Sequence, residues 1–216
     1  MQITIYEHRL DFVRRYVVDK DVLDVGTAEL VGTVNKAKLS RWSHKVIRDL
    51  AKSVIGLEKN GKQVKALTDM GFHVIEGDAE DFDLGTTFDV VFAGELIEHL
   101  ANVGLFLRCV RRHLRPSGVL LITTPNRYSI IDLWHIVRRN EVRWYTKPID
   151  SHVAYYDISS LLELLSRERF EVIEIGYYIW VGAPSASKLV RKALSLLKRF
   201  RCHLLPGIVV AARCCS

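Results

Sequence analysis

The sequence predicts an α/β fold built on a doubly wound, mostly parallel sheet, and three observations carry that expectation. Short apolar, β-branched runs alternate with stretches of helical period, the pattern of strands joined through helices. Glycine or an acidic residue follows each of the first four runs, where the strands of such a sheet turn toward their helices. The length, 216 residues with 49% hydrophobic and 26% charged side chains, suits one sizeable core in a single domain.

Taken in order, Leu10, Val13 and Val17 share one face of a leading helix. Residues 22–25 form the first strand, which leaves the sheet through Gly26. Leu50 and its neighbours belong to a second helix, and strand 54–57 follows and runs into Glu58. Val64, Leu67 and Met70 mark a third helix that stops at Gly71, ahead of strand 73–76. Strand 88–93 is apolar enough to be buried on both faces and ends in Gly94 and Glu95. Leu105, Cys109 and Arg112 define a fourth helix, stopped by Arg115-Pro116-Ser117-Gly118, before strand 119–123. A helix through Leu161, Leu162, Leu164 and Leu165 precedes strand 170–179, and 204–212 makes a seventh strand. Ligands of such a sheet sit at the carboxyl ends of the strands, near the switch in strand order.

Those ends carry a consistent set of residues. Asp24 and Gly26 lie on the turn after the first strand, where glycine permits close backbone approach or a positive φ. Glu58 ends the second strand, and a carboxylate there can accept two hydrogen bonds from a ribose diol. Asp78, in EGDAEDF, follows the third and can accept from an exocyclic amine of an adenine-like base; Gly94 and Glu95 follow the fourth. A single acid of this kind is commonly a helix cap, but four successive strand ends together point to a nucleoside ligand.

At these positions the sequence resembles the Rossmann-like S-adenosylmethionine-dependent methyltransferases, in the ubiquinone-biosynthesis-type group. The resemblance spans about residues 10–180 and is carried by LDVG at 23–26, GLE at 56–58, GDAEDF at 77–82, FDVVFAGELIEHL at 88–100, LRPSGVLLITTPN at 114–126 and the stretch at 151–175. It implies a seven-stranded sheet with an antiparallel last strand and S-adenosyl-L-methionine as cofactor. It further implies that Asp24 and Gly26 lie near the methionine part, Glu58 on the ribose hydroxyls, Asp78 and Ala79 at the adenine, and Gly94 with Glu95 at the methionyl end; Thr27, next to Gly26, is also expected to bind the cofactor.

One departure stands out. The family's first loop has three glycines at alternate positions, whereas this chain has Gly26, Ala28 and Leu30, and 34 residues separate Asp24 from Glu58. The loop is therefore expected to be longer, with Gly32 supplying flexibility. A dinucleotide ligand is disfavoured, since its fingerprint asks for glycine at 26, 28 and 31 and this chain has glycine, alanine and valine.

Methyl transfer from a sulfonium is an in-line displacement, so positioning does most of the work, and a base is needed only for a protonated acceptor. His99 and His152 are the candidates: His99 just past the fourth strand, His152 in SHVAYY beside Tyr155 and Tyr156. The connection 125–156, with Trp134, His135, Arg138, Arg139, Arg143, Trp144 and Tyr145, suits recognition of a flat or anionic acceptor, or else is a solvated surface helix from Ile130 to Arg139. TTPN lacks the second proline and the aromatic of the motif in amino-methylating DNA enzymes, so DNA is not the expected partner. A small-molecule, glycan or lipid-precursor acceptor leads; RNA or protein methylation and a noncatalytic module on the same fold are the alternatives.

Charge is unevenly spread. Residues 185–216 hold seven basic and no acidic side chains, while 1–184 hold 24 basic and 25 acidic, so the formal +6 belongs to one segment. Within it, 187–201 is amphipathic, with Leu189, Val190, Ala193, Leu194, Leu197 and Phe200 opposite Lys188, Arg191, Lys192, Lys198 and Arg199. The expectation is a basic helix over 185–203, inserted before the last strand of a single domain, 1–216. It either contacts an anionic membrane through 186–201 or packs on the domain or a second copy with its charges solvated. No long apolar span or secretory signal is present, and the four cysteines show no metal-ligand spacing, so a cytoplasmic protein without a metal is expected.

Overall fold

The computed structural model describes residues 3–27, 42–140, 152–179 and 202–215. Their strands form one eight-stranded sheet: β1 (Ile3–Tyr6), β2 (Asp21–Val25), β3 (Ser53–Glu58), β4 (Val74–Glu76), β5 (Phe88–Gly94), β6 (Leu114–Pro125), β7 (Phe170–Tyr178) and β8 (Gly207–Cys214). The spatial order is β1-β7-β8-β6-β5-β2-β3-β4. Only β8 runs against its neighbours, pairing antiparallel with β6 and β7. All seven expected strands are present, and β1 adds an eighth, parallel to β7 at the sheet edge.

Alternate residues of the central strands point to opposite faces, as the pleat requires. Leu23, Val25, Val91, Ala93, Leu120 and Ile122 join one buried cluster with Phe106, Leu107 and Val110 of α4 (Val103–His113) and Leu161 and Leu165 of α6 (Ile158–Arg167). Val22, Val90, Phe92 and Leu121 join the opposite cluster with Phe12, Val13 and Val17 of α1 (Arg9–Val17) and Ile47 of α2 (Ser43–Leu50). Both faces are covered, which explains the near-continuous apolar strands. A third small cluster joins Leu67 of α3 (Gly61–Asp69) to Trp42, Phe72 and Val74 near the β4 edge.

Helix starts follow local chemistry. The His8 ring accepts from the Leu10 amide, while Asn60, Asn102, Ser129 and Asp157 cap α3, α4, α5 (Ile130–Arg139) and α6 with side-chain oxygens. α3 ends at Gly71, whose φ is +82°, as the sequence suggests. The Arg115-Pro116-Ser117-Gly118 stop is a bulge within β6: register with β5 passes from Phe88↔Leu114 directly to Val90↔Val119. Leu204, expected to open the last strand, and Cys202 and His203, expected to end the basic helix, form instead the 3-10 turn Cys202–Leu204, and β8 begins at Gly207. The expected basic helix falls almost wholly on 180–201, outside the described residues, as do Ala28, Leu30, Gly32, Arg143, Trp144 and Tyr145.

β2 leads outward through β3 to β4, and β5 leads the other way through β6. Chain direction across the sheet thus reverses between β2 and β5, and their carboxyl ends open the crevice where this architecture binds ligands.

Candidate active site

A cavity of about 710 Å³ lies at that crevice, walled by the ends of β2, β3, β4 and β5. Gly26, Glu58, Asp78, Ala79, Gly94, Glu95 and His99 all line it, together with Arg9, Lys59, Glu80 and Leu96. Among the described residues lining it, Asp24, Thr27 and His152 do not appear.

At the first turn Gly26 adopts φ +80°, and its amide donates to the Leu57 carbonyl at 2.8 Å. A Cβ there would stand 2.9 Å from Leu96 Cδ1, so glycine is required by conformation and by space. Glu58 closes β3 and accepts from the Asn60 amide at 3.0 Å, which aims the carboxylate along the cavity rim. Asp78 accepts from the Glu80 amide at 3.0 Å and pairs with Lys59 Nζ at 2.7 Å. The Lys59 ammonium and then the Glu80 amide hold the Asp78 carboxyl below the usual range.

The other end of the cavity is built on a strained residue. Glu95 has φ +52°, uncommon for a side chain of its size, and its amide donates to the Thr123 carbonyl at 2.9 Å. Its carboxylate accepts from Thr123 Oγ1 at 2.8 Å and from Tyr178 Oη at 2.9 Å, with the buried Arg9 guanidinium 3.7 Å away. Burial, then the Glu95 charge, push the Tyr178 phenol well above its usual range, so it stays a donor.

Glu98 is almost fully buried behind this wall and accepts from Thr124 Oγ1 at 3.0 Å. Burial, followed by the Glu95 charge, raises its carboxyl well above the ordinary value. Its carbonyl receives the Val153 and Ala154 amides at 2.8 and 3.2 Å, and that tie brings His152 to His99. The two imidazole rings meet edge to face with centroids 4.5 Å apart, and Tyr155 lies 5.8 Å beyond. Glu98, His99 and His152 each place a ligand-capable atom within 4.8 Å of the others. His99 sits in the 3-10 turn Ile97–His99, not at the start of an α-helix.

Asp24 and Thr27 lie behind the first turn, both buried. The Asp24 carboxylate is held by His44 Nδ1 at 2.9 Å, and the Thr27 carbonyl by Trp42 Nε1 at 2.8 Å. In the expected acceptor region Trp134 is half exposed on α5, while buried Asn126 of TTPN spends its amide on the His203 and Leu205 carbonyls, at 2.8 Å each.

Sequence reasoning missed Arg9, Lys59 and Glu98. Lys59 and Glu98 were within reach, one following the strand-end acid and the other three residues past Glu95 in ELIEHL. Nothing local marks Arg9, which reaches Glu95 only because α1 precedes a strand adjacent to β5.

Comparison with known proteins followed the same lines. A family model described as a methyltransferase domain matches residues 6–175. The ubiquinone biosynthesis O-methyltransferase of Rickettsia prowazekii is 26% identical over 201 residues, covering 84% of this chain and 75% of that protein. Among solved structures, an S-adenosylmethionine-dependent methyltransferase from Archaeoglobus fulgidus superposes with a TM-score of 0.62 at 18% identity, covering 95% of this chain and 91% of its own. Another from Mesorhizobium loti gives 0.64 at 17% identity, covering 95% of each chain.

Proposed function

The chain belongs to the methyltransferase domain family and is an S-adenosylmethionine-dependent methyltransferase, and from that premise we propose that it methylates a hydroxyl of a small-molecule acceptor. Glycan and lipid-precursor acceptors fall within the same class. The observation that carries this reading is the meeting of four strand ends on one cavity with an imidazole pair at its edge.

Each residue then has a task the cofactor's chemistry asks for. Glu58 accepts from the ribose diol, and Asp78, beside Ala79, accepts from the adenine amine. Gly26 and Gly94 let the backbone approach the methionyl chain closely. Glu95 faces the ammonium of that chain and Arg9 its carboxylate, two opposite charges for a zwitterion. The cavity holds the sulfonium, and positioning of the acceptor can supply about 7–11 kcal/mol of the barrier lowering. A hydroxyl must lose its proton as the new bond forms, and His99, with His152 behind it, is placed to take it. The naming of relatives as O-methyltransferases supports the oxygen acceptor.

On this reading the chain is one such domain, and its basic amphipathic sequence 186–201 either packs on the domain or a second copy with its charges in water or brings the enzyme to an anionic membrane surface where a lipid-linked acceptor would reside. Among the described residues no helix is long and apolar enough to cross a membrane.

Titration with S-adenosylmethionine, followed by a screen of phenolic and lipid-precursor hydroxyl acceptors with radiolabelled methyl, tests the proposal. Binding with label incorporated as a methyl ether supports it; label on nitrogen or carbon overturns the hydroxyl assignment. Turnover abolished by a chelator would reassign His99 and His152 from proton transfer to holding a divalent ion together with Glu98.

A further inference from the structure

The fully buried His44, which lines no part of the cavity, sits behind the cofactor turn. Its Nδ1–H donates to the Asp24 carboxylate at 2.9 Å, and its Nε2 is buried with no hydrogen-bond partner among the described residues. Two residues earlier, the Trp42 indole N–H donates to the Thr27 carbonyl at 2.8 Å. One short stretch at the start of α2 therefore grips both ends of the turn 24–27.

The grip is itself wedged in place. Trp42, His44 and Phe72 pack with ring centroids 4.7–5.6 Å apart, and the Arg48 guanidinium covers Phe72 at 4.0 Å. Across the sheet Gly56 leaves the room this needs: a Cβ there would stand 3.1 Å from His44 Cε1 and 2.6 Å from Thr27 Cγ2. Gly26 is held from the remaining side by its bond to the Leu57 carbonyl.

We propose that His44 and Trp42 are positioning residues for the cofactor turn, and that Asp24 serves the cofactor through His44 rather than by touching it. The arrangement answers the departure in the sequence. A loop with alanine at 28 and leucine at 30 lacks the glycines that let a turn be held by tight helix packing. Here two side-chain hydrogen bonds, from His44 of α2 and from Trp42 just before it, fix the turn instead, so that Gly26 keeps its positive φ and amide direction. A carboxylate sunk to 3% exposure is stabilised by a donor that is itself fully buried, which suits the pair to a bracket rather than a ligand arm.

This inference rests on reading the cavity as the S-adenosylmethionine site, and the test separates the two. Full-length wild type is compared with His44→Leu, which keeps bulk without a donor, His44→Asn, which restores an N–H near the Nδ1 position, and Trp42→Phe. S-adenosylmethionine affinity is measured by calorimetry, and exchange of the Gly26 amide by hydrogen–deuterium NMR without cofactor, with the Leu121 amide as a fold control. The bracket predicts that His44→Leu and Trp42→Phe weaken binding and speed Gly26 exchange by about tenfold or more, the scale of one lost hydrogen bond to a buried group, while His44→Asn stays within about threefold of wild type. Wild-type Gly26 exchange in His44→Leu and Trp42→Phe overturns the proposal, and so does an equal loss in His44→Leu and His44→Asn, which would mean packing alone. If His44→Leu does not fold, Trp42→Phe, which keeps its ring, decides. Should wild type fail to bind the cofactor while Gly26 exchange still responds, the cavity reading falls and the bracket stands.

Discussion

Glu58 and Asp78 stand at strand ends on the cavity wall, where the proposed function gives them the ribose and the adenine amine as partners. Removing the Glu58 carboxylate charge in Glu58→Gln should weaken S-adenosylmethionine binding by about tenfold, and Glu58→Ala by more, because two charge-assisted hydrogen bonds to a diol are lost. Titration calorimetry reads this directly, and an unchanged affinity would remove Glu58 from the ribose. His99→Ala should lower kcat by about a hundredfold or more with cofactor affinity held within about threefold, the signature of a lost proton acceptor. His152→Ala should lower it less, since only His99 lines the cavity. The acids and glycines of the site were readable as residues because each terminates an apolar run. Asp24 was readable too, but its direction was not: strand alternation and the His44 ring, 20 residues on, turn its carboxylate away from the cavity.

Elements were legible where the period was strong, as in α3 with its glycine stop and α6 with its leucines, although the Asp157 cap of α6 emerged only in the structure. β1 was not. Four residues, Ile3–Tyr6, give too little alternation to mark a strand, and its partner β7 lies far along the chain. What anchors β1 is a polar cluster: Tyr6 and Tyr16 both donate to Glu174 of β7, and Arg15 of α1 pairs with the same carboxylate at 2.9 Å. Burial alone would raise the Glu174 carboxyl, but the hydrogen bonds from Tyr16 and Tyr6 and the Arg15 charge outweigh it and leave the group lowered. A carboxyl lowered on folding stabilises the native state above its unfolded pKa and ceases to as pH falls through the folded value. β1 and α1 should therefore loosen first on acidification, seen as early loss of amide protection at residues 3–6. Glu174→Gln should show weak protection at neutral pH with little further acid dependence. Fully protected residues 3–6 in that variant would show the carboxylate to be dispensable.

At the scale of the whole molecule, the sequence places charge and the sheet places chemistry. A near-neutral body carries a basic segment that falls between β7 and β8 in the sequence. If 186–201 meets a membrane, full-length protein should float with vesicles containing anionic lipid and lose most of that binding at high salt or when 186–201 are deleted. Equal recovery of both proteins would exclude the membrane role. By itself the sequence determined the α/β class, seven of the strands and a nucleoside ligand, because hydrophobic period and strand-end acids are local patterns that survive in one dimension; S-adenosylmethionine came from the resemblance of its motifs to a family. Only the tertiary structure decided that Arg9 faces Glu95, that Glu98 is buried against Thr124, and that His44 holds Asp24. Those contacts join residues brought together by strand order and side-chain direction, and both are settled by how the sheet buries its two faces.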